Sequence, residues 1–90
     1  MISRDVVVVN RLGMHARAAA RFVHLATRFH CDVHVARDTR RVDGKSIMGI
    51  LLLAAGSGST ITITAEGADE AGAVEALAAL VASGFGEEPS

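Results

Sequence analysis

The chain has 90 residues, half of them apolar, with 9 Lys and Arg against 10 Asp and Glu and a net charge of −1. One domain spanning residues 1–90 is expected, able to bury about 60–65% of its unfolded surface but too small for a deep active-site cavity. Near-neutral charge and the lack of Trp and Tyr exclude a basic, aromatic nucleic-acid surface, and a lone cysteine, Cys31, excludes an internal disulfide and fits a reducing compartment.

Val6 to Val9 is β-branched throughout and reads as a strand buried on both faces or nearly so. Four valines are too few for a signal-peptide core, and Asn10 to Gly13 then forms a loop. A helix is predicted from near His15 to about Arg28, with Ala18, Phe22, Leu25 and Phe29 on its apolar stripe. Its other face carries Arg17, Arg21, His24 and Arg28, a basic ridge on an otherwise neutral chain. Val33 and Val35 alternate with Asp32, His34 and Ala36 as a short strand, and Arg37 to Arg40 turns around Asp38 into a return strand at Arg41 to Asp43.

Ser46 is placed to N-cap a short helix from Ile47 to about Ala55, an apolar run far too short to span a membrane. After a Gly/Ser loop from Gly56 to Ser59, the alternation from Thr60 to Glu66 is the clearest strand in the chain. Asp69 is set to cap a last helix with Val74, Leu77, Leu80 and Val81 inward and Gly84 as its stop, leaving Glu87 to Ser90 as a loose end. The order βαββαβα predicts an α+β fold: a four-stranded antiparallel sheet with three helices on one face. A cytoplasmic protein with no membrane insertion is expected.

The candidate chemistry lies at Gly13-Met14-His15-Ala16-Arg17, which sets an imidazole at a helix start. Helix N-termini carry free N–H groups and a partial positive charge, and so suit a phosphate. Arg17 adds a permanently charged donor fork, and Gly13 permits a tight entry. Histidine ordinarily titrates near pH 6.5, so a neutral, nucleophilic ring is available at neutral pH. Nucleophile, anion seat and cation are the parts phosphoryl transfer needs. A surface histidine that merely begins a helix remains the plain alternative. His30, Cys31 and His34 suggest a metal at first sight, but alternation sets Cys31 opposite the two histidines, and neither metal nor cofactor is expected.

In the short helix, Ile47, Met48, Leu51 and Leu52 form one stripe, and Gly49, Ile50 and Leu53 another. Only one can be buried fully against a single sheet, so the other predicts an exposed apolar docking patch; a helix wholly buried under a loop is the alternative. Ser46 has two readings, a plain cap or a site whose phosphorylation would change the charge of that patch, and residue type alone favours the plain cap.

The segment from Gly13 to Ala19 resembles the active-site signature of the HPr family, the histidine phosphocarriers of the bacterial phosphotransferase system. Lys45-Ser46-Ile47-Met48-Gly49 resembles the family's regulatory-serine segment, Gly67-Ala68-Asp69-Glu70 its entry to the last helix, and the likeness covers residues 3–86. The resemblance implies an open-faced β-sandwich and a monomeric carrier that is not a stand-alone enzyme. His15 would take a phosphoryl group on its δ1 nitrogen from Enzyme I, charged by phosphoenolpyruvate, and pass it to Enzyme IIA components. Arg17 would neutralise the phosphate, and Ser46 would be the target of HPr kinase/phosphorylase. Arg21, His24, Ile47, Met48, Leu51 and Leu52 would meet the partners. Ala18 stands where many members have Pro; alanine is the better general helix former, so the helix is expected without the fixed φ that Pro supplies. Sugar-uptake and nitrogen-regulatory branches share the histidine motif, and the serine segment leans towards a carrier regulated at Ser46. A regulatory docking module of the same fold and a small ligand-binding domain are the competing readings.

Overall fold

The computed structural model describes residues 1–87. In it the chain runs β1 (Ile2–Val7), α1 (Ala16–Ala26), β2 (Asp32–Arg37), β3 (Arg40–Asp43), α2 (Ile47–Leu52), β4 (Thr60–Glu66) and α3 (Glu70–Ala82), then a 3-10 turn at Gly84–Gly86. The strands form one antiparallel sheet in the order β1-β4-β2-β3, so β4 lies at the centre, although it is the last strand made. The strict alternation of β4 explains this: Ile61, Ile63 and Ala65 are fully buried on one face, and its threonines line the other. Opposite them, Val33 and Val35 of β2 point into the same core. Phe22 of α1, Ile50 of α2 and Val74, Leu77 and Val81 of α3 close that core, giving the expected open-faced sandwich.

The four-valine run is not a doubly buried strand. β1 is an edge strand that starts earlier and ends at Val7, and helices cover only one side of it. Period-two alternation therefore sends Val6 and Val8 inward and leaves Val7 and Val9 exposed. Beyond β1 the chain stays tied to the approach to β4: Val8 N–H donates to Ser59 O, and Gly58 N–H donates to Val8 O.

α1 begins where expected, at Ala16 after His15, but is left early, at Ala26, where Thr27 caps it. α2 stops at Leu52, short of the Ala55 expected from its apolar run, because Ala54 turns into the left-handed region at φ 50°. Its last carbonyls are satisfied from outside: Arg40 Nη1 donates to Leu52 O at 2.6 Å, and Arg37 Nη1 to Leu53 O at 3.1 Å. These arginines flank the β2–β3 turn at Asp38, itself left-handed as its turn position requires.

Asp69 does not cap α3 with its side chain. Its two carboxylate oxygens instead accept the backbone N–H groups of His30 and Cys31, at 2.8 and 2.9 Å, and pin the start of β2 to the start of α3. The His30 N–H, and then the Cys31 thiol and N–H, hold the Asp69 carboxyl below the usual aspartate range. Cys31 is buried, and burial pushes its thiol up. No described helix is long and apolar enough to cross a membrane, and no three metal-ligating side chains cluster among the described residues.

Candidate functional site

The site begins with a loop that only glycine can complete. Gly13 has φ +67°, and a Cβ there would lie 2.6 Å from Ala55 O and 2.8 Å from Gly56 Cα. That close approach lets Met14 N–H donate to Ala55 O at 2.9 Å, so the loop after α2 braces the loop before α1. Asn10, the one buried polar side chain among the described residues, holds the loop from inside: its Nδ2 donates to Gly13 O at 2.8 Å.

The chain leaves this brace at His15, the N-cap of α1, in extended conformation. His15 Nδ1 accepts the backbone N–H of Arg17 at 3.2 Å, while His15 O accepts Ala19 N–H and begins the helical ladder. The N–H groups of Ala16, Arg17 and Ala18 precede that ladder, so the ring sits over the positive end of the helix. Ala18 itself is fully buried, and the helix forms without proline there.

The other ring nitrogen faces a residue expected to lie in a loose tail. Glu87 packs against the site: its Oε2 lies 2.5 Å from His15 Nε2, and its Oε1 accepts Asn10 Nδ2 at 2.9 Å. The remainder of the predicted tail, residues 88–90, lies outside the described residues. The Asn10 amide, then His15, holds the Glu87 carboxyl below the usual glutamate range. An ionised carboxylate only accepts hydrogen bonds, so Nε2 carries the ring proton and Nδ1 keeps its lone pair.

Arg17 is exposed at the mouth of the site, and His24 lies exposed near the end of α1. Arg21, predicted to face a partner, is exposed but not free: its guanidinium donates to Phe85 O and holds the C-terminal turn. Ser46 N-caps α2, its Oγ accepting Gly49 N–H at 3.0 Å. Ile47, Met48 and Leu52 are exposed, Met48 by 68% and Leu52 by 59%, Leu51 is half-buried, and Ile50 and Leu53 are buried. α2 is therefore not covered, and the predicted apolar stripe faces solvent. Leu12, 62% exposed in the loop before His15, adds apolar surface that the helix pattern alone did not single out. Asn10 and Glu87 were likewise missed; an isolated asparagine and a glutamate beyond the last helix carry no pattern.

The family described as PTS HPr component phosphorylation site matches residues 2–83. The chain is 51% identical over 87 residues to the phosphocarrier protein HPr of Cupriavidus necator, covering 97% of this chain and 98% of that one. Among solved structures it is similar to HPr-C-His of Thermoanaerobacter tengcongensis, with a TM-score of 0.94, 42% identity and coverage of 98% and 99% of the two chains. It is also similar to the phosphocarrier protein HPr of Bacillus anthracis, with a TM-score of 0.86, 51% identity and coverage of 89% and 95%. The chain thus belongs to the HPr family of phosphocarrier proteins of the phosphotransferase system.

Proposed function

We propose that Nδ1 of His15 is the phosphoryl acceptor, that it is charged by phospho-Enzyme I and that it passes the group to Enzyme IIA components. One observation carries this reading: His15 caps α1 with Nδ1 turned onto the Arg17 N–H, at the one place where the site offers both a nucleophile and a seat for an anion. As the Nδ1 lone pair forms its bond to phosphorus, the Arg17 N–H loses its ring acceptor and faces a phosphoryl oxygen instead. The N–H groups of the first turn and the exposed Arg17 guanidinium then share the charge on the group. In this reading the chain is a carrier that stores the group for another protein, not a stand-alone enzyme.

The exposed stripe Ile47, Met48 and Leu52, half-buried Leu51 and the His24 end of α1 form the docking surface in this reading, with Arg21 contributing through its place beside the C-terminal turn. Phosphorylation of Ser46, by a kinase of the HPr kinase/phosphorylase type, sets two negative charges beside Ile47 and Met48 and weakens docking of an acidic partner. The Ser46 cap beside that stripe also supports the second reading, a docking module switched at Ser46. The working unit is a cytoplasmic monomer acting as one domain.

The deciding experiment is phosphoryl transfer from phosphoenolpyruvate through purified Enzyme I, read by intact mass and acid lability. Uptake of one acid-labile phosphate, abolished in folded His15→Ala, is the expected result. Full uptake by that variant puts the acceptor elsewhere; no uptake by the unaltered chain favours the docking module.

A further inference from the structure

The C-terminal turn spends unusual backbone conformations to reach the site. Gly84, Phe85 and Gly86 all have positive φ, at 73°, 60° and 72°, which folds the chain back from α3. A phenylalanine adopts that region only where its surroundings dictate it. Here the side chain of Phe85 is fully buried and its carbonyl accepts the Arg21 guanidinium. The next residue delivered is Glu87, whose two oxygens are both used: Oε1 on the Asn10 amide and Oε2 on the His15 ring. Asn10 is oriented without ambiguity, because both groups its Nδ2 meets, Gly13 O and Glu87 Oε1, are acceptors. One buried amide thus joins the loop that positions His15 to the carboxylate that faces the ring.

We infer that Glu87 is a positioning residue for phosphoryl transfer, seated by Asn10 and by the Gly84–Gly86 turn, and that it acts through Nε2 of His15. The inference rests on the carrier reading of His15. While the ring is neutral, the carboxylate keeps the proton on Nε2 and so leaves the lone pair on Nδ1. As Nδ1 bonds to phosphorus, the donor's bond to phosphorus breaks, the proton stays on Nε2, and the ring gains one positive charge. The carboxylate 2.5 Å away neutralises that charge. In onward transfer the Nδ1–P bond breaks, its electron pair returns to Nδ1, and the ring is neutral again with the same proton in place. The cycle needs no proton from solvent, and the ring orientation is held throughout.

The test compares the full chain with Glu87→Gln, which keeps shape and loses charge, and with Glu87→Asp, which keeps charge and loses reach. Two readouts are taken above the pH range in which histidine rings ordinarily titrate: the His15 ring signals in a 15N-labelled sample, and the rate of phosphoryl uptake from Enzyme I. In the unaltered chain the ring N–H should be a downfield proton protected from exchange, with 15N shifts of an Nε2–H ring. Glu87→Gln, folded with an unchanged unfolding midpoint, should lose that protection and slow uptake by about tenfold or more, as loss of an outer hydrogen-bond partner of a working histidine does. Glu87→Asp should fall between the two. Uptake in Glu87→Gln at the unaltered rate, with the ring proton still protected, would overturn this role and leave the carrier reading intact. Absence of uptake in the unaltered chain would overturn both.

Discussion

Gly13→Ala tests whether the brace between the two loops sets both stability and the site. The added methyl group would lie 2.6 Å from Ala55 O and 2.8 Å from Gly56 Cα, both backbone atoms that cannot rotate away. The left-handed conformation alone costs an L-residue about 1–2 kcal/mol. Relieving the clash moves the 54–58 loop and breaks the 2.9 Å bond from Met14 N–H to Ala55 O. A backbone bond of that kind contributes about 1 kcal/mol, which brings the expected loss to about 2–3 kcal/mol. For a domain of this size that lowers the melting temperature by about 8–24 °C, read by circular dichroism. Phosphoryl uptake should also fall at temperatures where the variant is fully folded, because the displaced loop carries His15. A loss below about 1 kcal/mol with unchanged uptake would refute the reasoning, since the loops would then have room that the structure denies them.

Ser46→Ala should lower stability by about 1 kcal/mol in denaturant titrations, the loss of an N-cap acceptor for Gly49 N–H. Met48→Asp should leave stability within about 0.5 kcal/mol, because the side chain is exposed, yet raise the apparent KM for Enzyme I in the transfer assay. Asp69→Asn should destabilise the fold in a pH-dependent way. The Asp69 carboxyl is depressed in the folded chain, so its contribution is present above the ordinary aspartate value and fades as pH falls through the folded one. The difference in urea midpoint between Asp69→Asn and the unaltered chain should therefore be largest above about pH 5 and shrink in more acidic buffer.

The parts of the fold that were legible in the sequence are those with a period. The Thr/Ile alternation of β4 and the stripe of α1 through Phe22 each name a buried face, and the structure buries those faces; of the two stripes of α2 it buries Ile50 and Leu53 and leaves Ile47, Met48 and Leu52 in solvent. The four valines misled because β-branching favours a strand without saying whether one side or two will be covered; that depends on β1 falling at the sheet edge. Asp69 stood where a cap belongs, but its carboxylate found two N–H groups some forty residues away in sequence, and such a partner leaves no local trace. At the candidate site, the places of His15 and Ser46 at helix starts were legible because helix starts have a grammar of their own. Glu87 and Asn10 were not, since each becomes meaningful only once the turn at Phe85 folds the chain end onto the α1 entry.

Helix α2, the proposed docking surface, has six residues, fewer than a free helix needs to hold its shape in water. It persists because Ser46 closes one end while Arg37 and Arg40, borrowed from the neighbouring hairpin, close the other. The backbone under its exposed stripe is thus already helical before any partner arrives, so docking need order only the side chains. In the proposed carrier role the chain must meet a donor and then an acceptor, hand over its cargo and leave. A small, preformed apolar face lets recognition be quick and specific while the total affinity stays modest, so release does not become the slow step.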